Sequence, residues 1–345
     1  MMKKNKVDYK FAGVDISAGN EAVNLIKDSV KSTFSKNVLT GLGSFGALYD
    51  LKAIAKEYKH PVLVQSIDGV GTKTIIARKL NKFDTIGIDL LSATANDIIV
   101  MGARPITFLD YIANDKLNPT IIKEIVSGMV KACNDNNVSL VGGETAEMPD
   151  TYLQGEHDLV GVITGVVEKN KIINGELISP GDVVLGLPSS GLHTNGYSLA
   201  RKIFFDIGNY DVKDRPNGLA SSVGLTLLEP HINYTNDIFT LLDQGVNVKG
   251  LAHITGGGLL ENIPRILPKN CEAKIKLGTW DILPVFSAMQ SIGNVEQNEM
   301  FRTFNMGIGM IIVVSKNEVA MVEDLIRVKE IGEVEEGKRG VRIIQ

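Results

Sequence analysis

Acidic side chains follow two apolar segments of this sequence, each within a glycine-containing stretch. "SIDGVGTK" places Asp68 at the end of a predicted strand with Lys73 shortly after it, and "LVGGETAEMPD" places Glu144 directly after two glycines. Carboxylate oxygens suit a hard dication such as Mg²⁺, which keeps waters and phosphates as its other ligands, and a lysine can neutralise phosphate as a point charge. The alternative is a pair of strand-ending turns with solvated charges, because short turn motifs often arise by chance.

The two glycines before Glu144 predict how the strand ends. Gly142 and Gly143 free the backbone to approach a ligand closely or to adopt positive φ. We therefore expect the apolar strand to end there in a flexible turn that lets Glu144 reach a cation. A carboxylate that simply faces water is the alternative.

A third acid lies in a segment that is otherwise suited to burial. "GIDLLSATANDIIVMGA" predicts a helix in which Asn96 and Asp97 stand among apolar residues. A charged Asp is seldom buried without a partner, so Asp97 is either a ligand or part of a satisfied structural hydrogen bond. Asp68, Asp97 and Glu144 together could form a carboxylate cluster for a metal–nucleotide complex.

The glycine loop "GLGSFG" at residues 41–46 matches the pattern G-x-G-x-x-G. It follows a helix and a polar loop instead of a strand, so the dinucleotide-binding context fails. "GVGTK" likewise lacks the spacing of a Walker A motif. The loop is therefore interpreted as a flexible lid or a backbone anion site, and a plain linker is an equally good alternative.

The second half of the chain contributes polar loops before predicted helices. "PSSGLHTNGYSL" gathers Ser190, His193 and Asn195, and "HITGGGLLENIPR" places three glycines, 256–258, before the next helix. Hydroxyls and free N–H groups at a helix start can hold a phosphate. His193 is the most catalytic-looking of the five histidines because it lies in a polar loop. The alternatives are a hydrogen-bonding structural histidine and a simple helix-entry turn.

Composition excludes several classes of protein. The 345 residues are 44% hydrophobic and 22% charged, as in globular proteins, and the net charge of −4 argues against nucleic acid as a partner. The N-terminal lysines have no apolar segment behind them, and no apolar stretch is long enough to cross a bilayer. Cys133 and Cys271 lie far apart, consistent with reduced thiols. We expect a cytoplasmic protein.

Periodicity predicts an α+β architecture in two domains. Strands are expected at 62–67, 106–113, 138–143 and 158–169, and helices at 20–34, with Asn20 as N-cap, and from Pro119 onward. The polar, turn-rich segment near residue 170 predicts a boundary between domains 1–169 and 170–345. Strands and helices mix without a strict βαβ rhythm, which favours two α+β domains.

Taken together, eight segments resemble the phosphoribosylformylglycinamidine cyclo-ligase (aminoimidazole ribonucleotide synthetase) family. They are "YKFAGVDISAGN", "GLGSFGALYDL", "DGVGTK", "TIGIDLLSATANDIIVMGARP", "LVGGETAEMP", "SSGLHTNGYSL", "HITGGGLLENIPR" and "NVEQNEMFRTFNMGIGM". Each motif alone is weak, but all of them in the same order, from about Tyr9 to Met310, are specific.

The resemblance implies a two-domain α+β protein of the ATP-binding superfamily named after this synthetase, forming a homodimer through its N-terminal domains. It implies closure of the imidazole ring of formylglycinamidine ribonucleotide in purine biosynthesis, with ATP and Mg²⁺ and with phosphorylation of the amide oxygen. The implied metal and ATP-phosphate ligands are Asp68, Asp97 and Glu144. Implied around the same nucleotide are Lys73, Asn96, Gly41, Gly43 and Gly46. Implied to face the substrate are Ser190, His193, Asn195, Gly256, Gly257 and Gly258, with Lys73 and His193 as catalytic residues.

The sequence is compatible with two other classes of function. One is a kinase or phosphate-transfer relative, such as thiamine-monophosphate kinase or selenophosphate synthetase. The latter is expected to carry a reactive Cys in its N-terminal glycine region, and the cysteines at 133 and 271 count against it. The other is a catalytically silent nucleotide-binding scaffold, against which the intact acids at 68, 97 and 144 argue.

Overall fold

The computed structural model describes residues 8–345. Residues 1–7, on which the expectation of no signal peptide partly rests, lie outside the described residues. Two sheets use separate stretches of the chain. Among the described residues no helix is both long enough and apolar enough to cross a membrane.

The first sheet has four strands in the spatial order β1-β4-β2-β3. β4 pairs antiparallel with both β1 and β2, and β2 pairs in parallel with β3. The strands are β1 (Pro61–Gly69), β2 (Arg104–Asn114), β3 (Ser139–Glu147) and β4 (His157–Glu168). The helices of this half are α1 (Ile16–Lys31), α2 (Lys52–Glu57), α3 (Lys73–Leu80), α4 (Ile86–Ile99) and α5 (Pro119–Asp135).

Helices cover one face of the first sheet and leave the other open. Phe108, Ile112 and Ile163 alternate along β2 and β4 and are fully buried on the helix-covered face. The opposite face presents apolar side chains to solvent, with Leu63 59% and Ile67 67% exposed. Because successive side chains of a strand point to opposite faces, this pattern divides each strand into a core face and an open face.

The second sheet has six strands in the order β10-β7-β9-β5-β8-β6, of which only β10 and β7 pair in parallel among the described residues. The strands are β5 (Val183–Pro188), β6 (Val248–His253), β7 (Cys271–Lys276), β8 (Ile308–Val314), β9 (Lys329–Glu336) and β10 (Gly340–Ile344). The helices are α6 (Tyr197–Arg201), α7 (Val223–Leu227), α8 (Thr235–Asp243), α9 (Gly258–Asn262), α10 (Pro284–Gly293), α11 (Gln297–Thr303) and α12 (Val319–Leu325). All seven residues of β8 are buried, as expected of a strand inside a sheet that is covered on both faces.

The predicted elements of the first half are largely confirmed. α5 begins at Pro119, and the Asn118 side chain accepts hydrogen bonds from the N–H groups of Thr120 and Ile121. The expected N-cap at Asn20 is wrong, because α1 begins at Ile16 after an N-cap at Asp15. The mixed sheets confirm the α+β class.

The turn expected at Gly142 and Gly143 is wrong, because β3 continues through both glycines to Glu147. Gly143 is paired with Asp110 of the neighbouring strand. A Cβ atom built on Gly143 would lie 2.3 Å from Oδ1 of Asp110. The glycine therefore leaves room for a carboxyl group on the next strand and does not create a flexible turn.

Candidate active site

Asp97, near the end of α4, joins the two halves of the chain. Its Oδ1 lies 2.9 Å from Nδ1 of His253, the last residue of β6, and its Oδ2 accepts a 3.0 Å hydrogen bond from the Ser66 hydroxyl on β1. The carboxylate is about one-third exposed, whereas the His253 side chain is buried. Asp97 was expected to be buried, and it is only partly so. Its hydrogen-bond partners come from both sheets.

Asp68, on β1, forms an acidic pair with Asp97 of α4. Burial is the main cause that raises its pKa above the ordinary value, and the negative charge of Asp97 raises it further. The N–H of Gly69 donates to Asp68 and, like the charge of His253, favours the ionised form. Two neighbouring carboxylates with the Ser66 hydroxyl beside them are an oxygen donor set of the kind that Mg²⁺ prefers.

Glu144 does not join this pair within one chain. Asp68 lies in a row across the sheet with Gly161 and Asp110, whereas Glu144 lies in the next row, beside Tyr111. Adjacent rows face opposite sides of a sheet, and β1 and β3 are its two edges. Within residues 8–345 no group of three or more His, Cys, Asp or Glu is placed to hold a metal ion.

Glu144 instead lines a cleft of about 860 Å³ together with the glycine loop 41–46 and part of α1. This places Gly41, Gly43 and Gly46 beside Glu144, at the other edge of the sheet from Asp68. Asp110 also lines the cleft, and burial raises the pKa of its carboxyl group to about 7.

A cluster of three histidines, His193, His231 and His253, lies next to Asp97. Nε2 of His231 is 3.1 Å from Nε2 of His253, and the rings of His193 and His231 stack with centroids 4.0 Å apart. Burial, with smaller effects from neighbouring positive charge, holds the pKa values of His193 and His231 well below the ordinary range. Both rings are therefore neutral at pH 7.

Sequence reasoning singled out His193 and missed the other two histidines. A signal for His253 was available, because it ends an apolar strand three residues before the glycine loop 256–258, much as Asp68 lies at the end of its own strand before Gly69. His231, in "LEPHINY", had no comparable signal.

Lys73 and Asn96 lie inside the molecule, between the two halves. Lys73 is fully buried, and its Nζ donates to Asp89, 2.8 Å away. The Asn96 amide donates to the carbonyl of Ile232 and accepts from the N–H of Tyr234. Both side chains are hydrogen-bonded to other groups of the protein. To contact a nucleotide, Lys73 and Asn96 would have to break these hydrogen bonds.

The expected substrate residues of the second half form one neighbourhood beside the histidines. The N–H of Ser190 donates to Nε2 of His193 over 3.3 Å. A Cβ atom built on Gly256 would lie 3.4 Å from Oδ1 of Asn195, so the two polar loops adjoin. Gly257 and Gly258 both have positive φ, and Asn262 closes their loop by donating to the Gly256 and Gly258 carbonyls.

The arrangement is suited to positioning and charge neutralisation more than to nucleophilic attack. Cys133 and Cys271 are buried free thiols, and burial raises the pKa of each. Acids, amides, hydroxyls and glycine loops are the groups that phosphoryl-transfer sites use.

Family models match both halves of the chain. A model described as "AIR synthase related protein, N-terminal domain" matches residues 50–167, and one described as "AIR synthase related protein, C-terminal domain" matches residues 179–345. Among solved structures, HypE of E. coli, a hydrogenase maturation protein, has a TM-score of 0.65 at 19% identity, covering 93% of this chain and 94% of its own. Thiamine-monophosphate kinase of Stenotrophomonas maltophilia has a TM-score of 0.68 at 18% identity, covering 92% and 95%. These two likenesses show the fold.

Two relatives of higher identity match this chain over nearly its full length. A phosphoribosylformylglycinamidine cyclo-ligase of Trichlorobacter lovleyi is 49% identical over 333 residues, covering 96% of this chain and 94% of the relative. The enzyme of that name from Citrifermentans bemidjiense is 51% identical over 317 residues, covering 92% and 90%. Identity at this level over nearly the whole length, with both domain models matched in order, makes this chain a member of the phosphoribosylformylglycinamidine cyclo-ligase family.

Proposed function

We propose that this chain catalyses the ATP-dependent ring closure of formylglycinamidine ribonucleotide to aminoimidazole ribonucleotide. The main support is the sequence identity of about 50% to cyclo-ligases over almost the entire chain. The acidic pair Asp68 and Asp97 at the junction of the two sheets supports the same assignment.

The reaction has two steps. The amide oxygen of the substrate takes the γ-phosphoryl group of ATP, which releases ADP and leaves an iminophosphate. An internal nitrogen then attacks the activated carbon, the carbon–oxygen bond to phosphate breaks, and the nitrogen loses a proton. An amide oxygen is a poor leaving group, whereas phosphate is a good one, and holding the two arms of the substrate together removes much of the entropic cost of closure.

Asp68 and Asp97 would hold the Mg²⁺ ion, whose chemistry is to neutralise phosphate charge during transfer. Their donor set fits this ion. The hydrogen bonds from Ser66 and His253 orient the Asp97 carboxylate for the role.

His193 is proposed as the group that takes the proton released on ring closure. Its neutral ring has a lone pair on Nε2, which now accepts from Ser190 N–H. Because that hydrogen bond is long, its release costs little, and substrate binding to the loop of Ser190 and Asn195 would compete with it. The glycines 256–258 would face the ribose phosphate from the adjoining loop.

The homodimer is proposed to form through the open face of the first sheet. Leu63, Ile67 and Leu109 on this face are 59%, 67% and 42% exposed. Contiguous exposed apolar surface of this kind marks protein interfaces. Glu144 belongs to the same face, so a second copy would bury it at the interface. The cleft of Glu144, Gly41, Gly43 and Gly46 is proposed to contribute to the nucleotide site in that assembly.

The test is ADP release by the purified protein with Mg²⁺, ATP and formylglycinamidine ribonucleotide, with the imidazole product assayed in parallel. Equal amounts of ADP and imidazole are expected. ADP without imidazole would favour a kinase relative, and no substrate-dependent ADP would favour a nucleotide-binding scaffold.

A further inference from the structure

A buried ion pair, Lys73 of α3 with Asp89 of α4, lies between the two halves of the chain. Nζ of Lys73 is 2.8 Å from Oδ1 of Asp89, and both side chains are 0% exposed. Burial lowers the pKa of Lys73 and raises that of Asp89, while the contact between them opposes both changes. Both residues belong to the first half.

The pair makes three hydrogen bonds to the backbone of the second half. Lys73 Nζ donates to the carbonyls of His193 at 3.2 Å and Glu229 at 2.7 Å. Asp89 Oδ1 accepts from the N–H of His231 at 2.7 Å. All three protons of the ammonium group are thereby used, so the pair connects α3 and α4 to the two loops that carry stacked histidines.

The backbone of His193 needs such support. Its φ of +61° lies in the left-handed region, which is costly for a residue with a Cβ atom. The hydrogen bond from Lys73 fixes the direction of the His193 carbonyl, and stacking on His231 fixes its ring. A buried ion pair by itself is weak evidence for stability, because apolar residues of similar size often replace it without loss.

We propose that Lys73 and Asp89 are positioning residues that hold the backbone of His193 and His231, and through it the substrate loop, against α4. This inference rests on the proposed function, because it assigns a role in the same site. It differs from the role implied by the family resemblance, in which Lys73 contacts the nucleotide. A displacement of about 1 Å in a reacting group can cost on the order of 100-fold in rate, so the pair acts on turnover.

The experiment is a double-mutant cycle between the ion pair and His193. The pair is replaced by Lys73→Met with Asp89→Leu, in the wild-type and the His193→Asn backgrounds; Asn tolerates a left-handed backbone. We expect kcat to fall roughly 10- to 100-fold in the wild-type background and less than about 3-fold further with His193→Asn. The KM for ATP should stay within about 3-fold, since uniform binding of ATP is untouched.

The matched control is the pair Lys249 and Asp182, 2.6 Å apart and largely buried within the second half. Its apolar replacement, Lys249→Met with Asp182→Leu, should leave kcat unchanged. If both replacements change kcat equally, or if the losses at the pair and at His193 multiply, the inference is overturned. A rise of 10-fold or more in the KM for ATP with Lys73→Met, absent with Asp89→Asn, would instead make Lys73 a nucleotide ligand.

A readout without substrate separates this inference from the proposed function. The ¹⁵N ring signals of His193 and His231, assigned through His193→Asn and His231→Asn, should shift on replacement of Lys73 and Asp89 and stay unchanged in the control. Unchanged signals would overturn the inference even in an active enzyme, and shifted signals would uphold it even if no imidazole forms. Should the double replacement not fold, Asp89→Asn, which keeps the side-chain shape, enters the same cycle and the same spectra.

Discussion

Asp97 and His253 meet 2.9 Å apart, Oδ1 to Nδ1, although one lies near the end of a helix of the first half and the other ends a strand of the second. Both halves of the chain therefore fix the orientation of a carboxylate of the proposed metal site, through Ser66 and His253. Any relative movement of the two sheets therefore changes the orientation of Asp97.

Replacement of Asp97 by Asn should remove most of the activity. The variant keeps the shape of the side chain and loses its charge, so we expect substrate-dependent ADP release to fall about 100-fold or more. Initial rates across a Mg²⁺ titration measure this. Ser66→Ala, which removes only the hydroxyl donor, should cost far less. An Asp97→Asn enzyme with an unchanged Mg²⁺ dependence would exclude Asp97 from the metal site.

Replacement of Gly143 by Ala should destabilise the first sheet. The new methyl group would meet the Asp110 carboxyl group at 2.3 Å, and overpacking of this kind costs roughly 1–3 kcal/mol of unfolding free energy. Gly142→Ala is the matched control, because its methyl group would meet only a Leu109 methyl at 3.4 Å. Chemical denaturation measures both. Combining Gly143→Ala with Asp110→Ala should recover only part of the lost stability, because the backbone oxygen of Asp110 would still lie 2.9 Å from the new methyl group. No recovery at all would contradict a steric clash with the Asp110 carboxyl group.

Replacement of Asp110 by Asn should change how stability depends on pH. The pKa of Asp110 is raised from 3.8 to about 7 in the folded protein, so between these values the folded state holds a proton that the unfolded state has released. Stability therefore falls as pH rises through this window and levels off above about 7. The full difference corresponds to roughly 4 kcal/mol, and partial access of water from the cleft makes the measured effect smaller.

The measurement is the free energy of unfolding of wild type and Asp110→Asn from pH 4 to 8. The variant should gain stability relative to wild type as pH rises. A constant difference for Asp110→Asn would mean that the carboxyl group ionises normally in the folded protein.

Replacement of Ile67 by Glu should separate the proposed dimer. The side chain is 67% exposed on the open face of the first sheet, so the change leaves the core of one chain intact. Sedimentation at several concentrations should give a dimer for wild type and a monomer for the variant. A wild-type monomer at every concentration would exclude this interface. Ser127→Glu on the exposed surface of α5 serves as the charge control.

Local features of the fold were predictable from sequence, because they depend on neighbours in the chain. Pro119 marks the start of α5, since proline fits the first turn of a helix and Asn118 caps it. The prediction of a turn at Gly143 was wrong, because glycine is needed there to make room for the Asp110 carboxyl group on the neighbouring strand. The local sequence around Gly143 does not contain that pairing. Alternation located β3 but could not say which strand lies beside it.

The site was only partly predictable for the same reason. Asp68 and Asp97 could be singled out because carboxylates are conspicuous among apolar residues, and the structure places their charges close to each other. Lys73 was placed beside a phosphate on the strength of its nearness in sequence to Asp68. Its acceptors at His193 and Glu229 lie 120 and 156 residues further along, and only the packing of the two halves brings them together.

Helix α4 has a further consequence for the order of events during synthesis. Asp89 and Asn96 obtain their partners at residues 231–234, at sequence separations of 135 to 142 residues. At roughly 5–20 residues per second, the ribosome needs about 7 to 28 s to supply that segment. For this interval Asp89 can pair with Lys73 of the same half, whereas the Asn96 side chain must be satisfied by water, because its partners lie at residues 231–234. The hydrogen bonds of α4 are therefore complete only after residues 231–234 have been synthesised, and the final packing of the first half depends on the second.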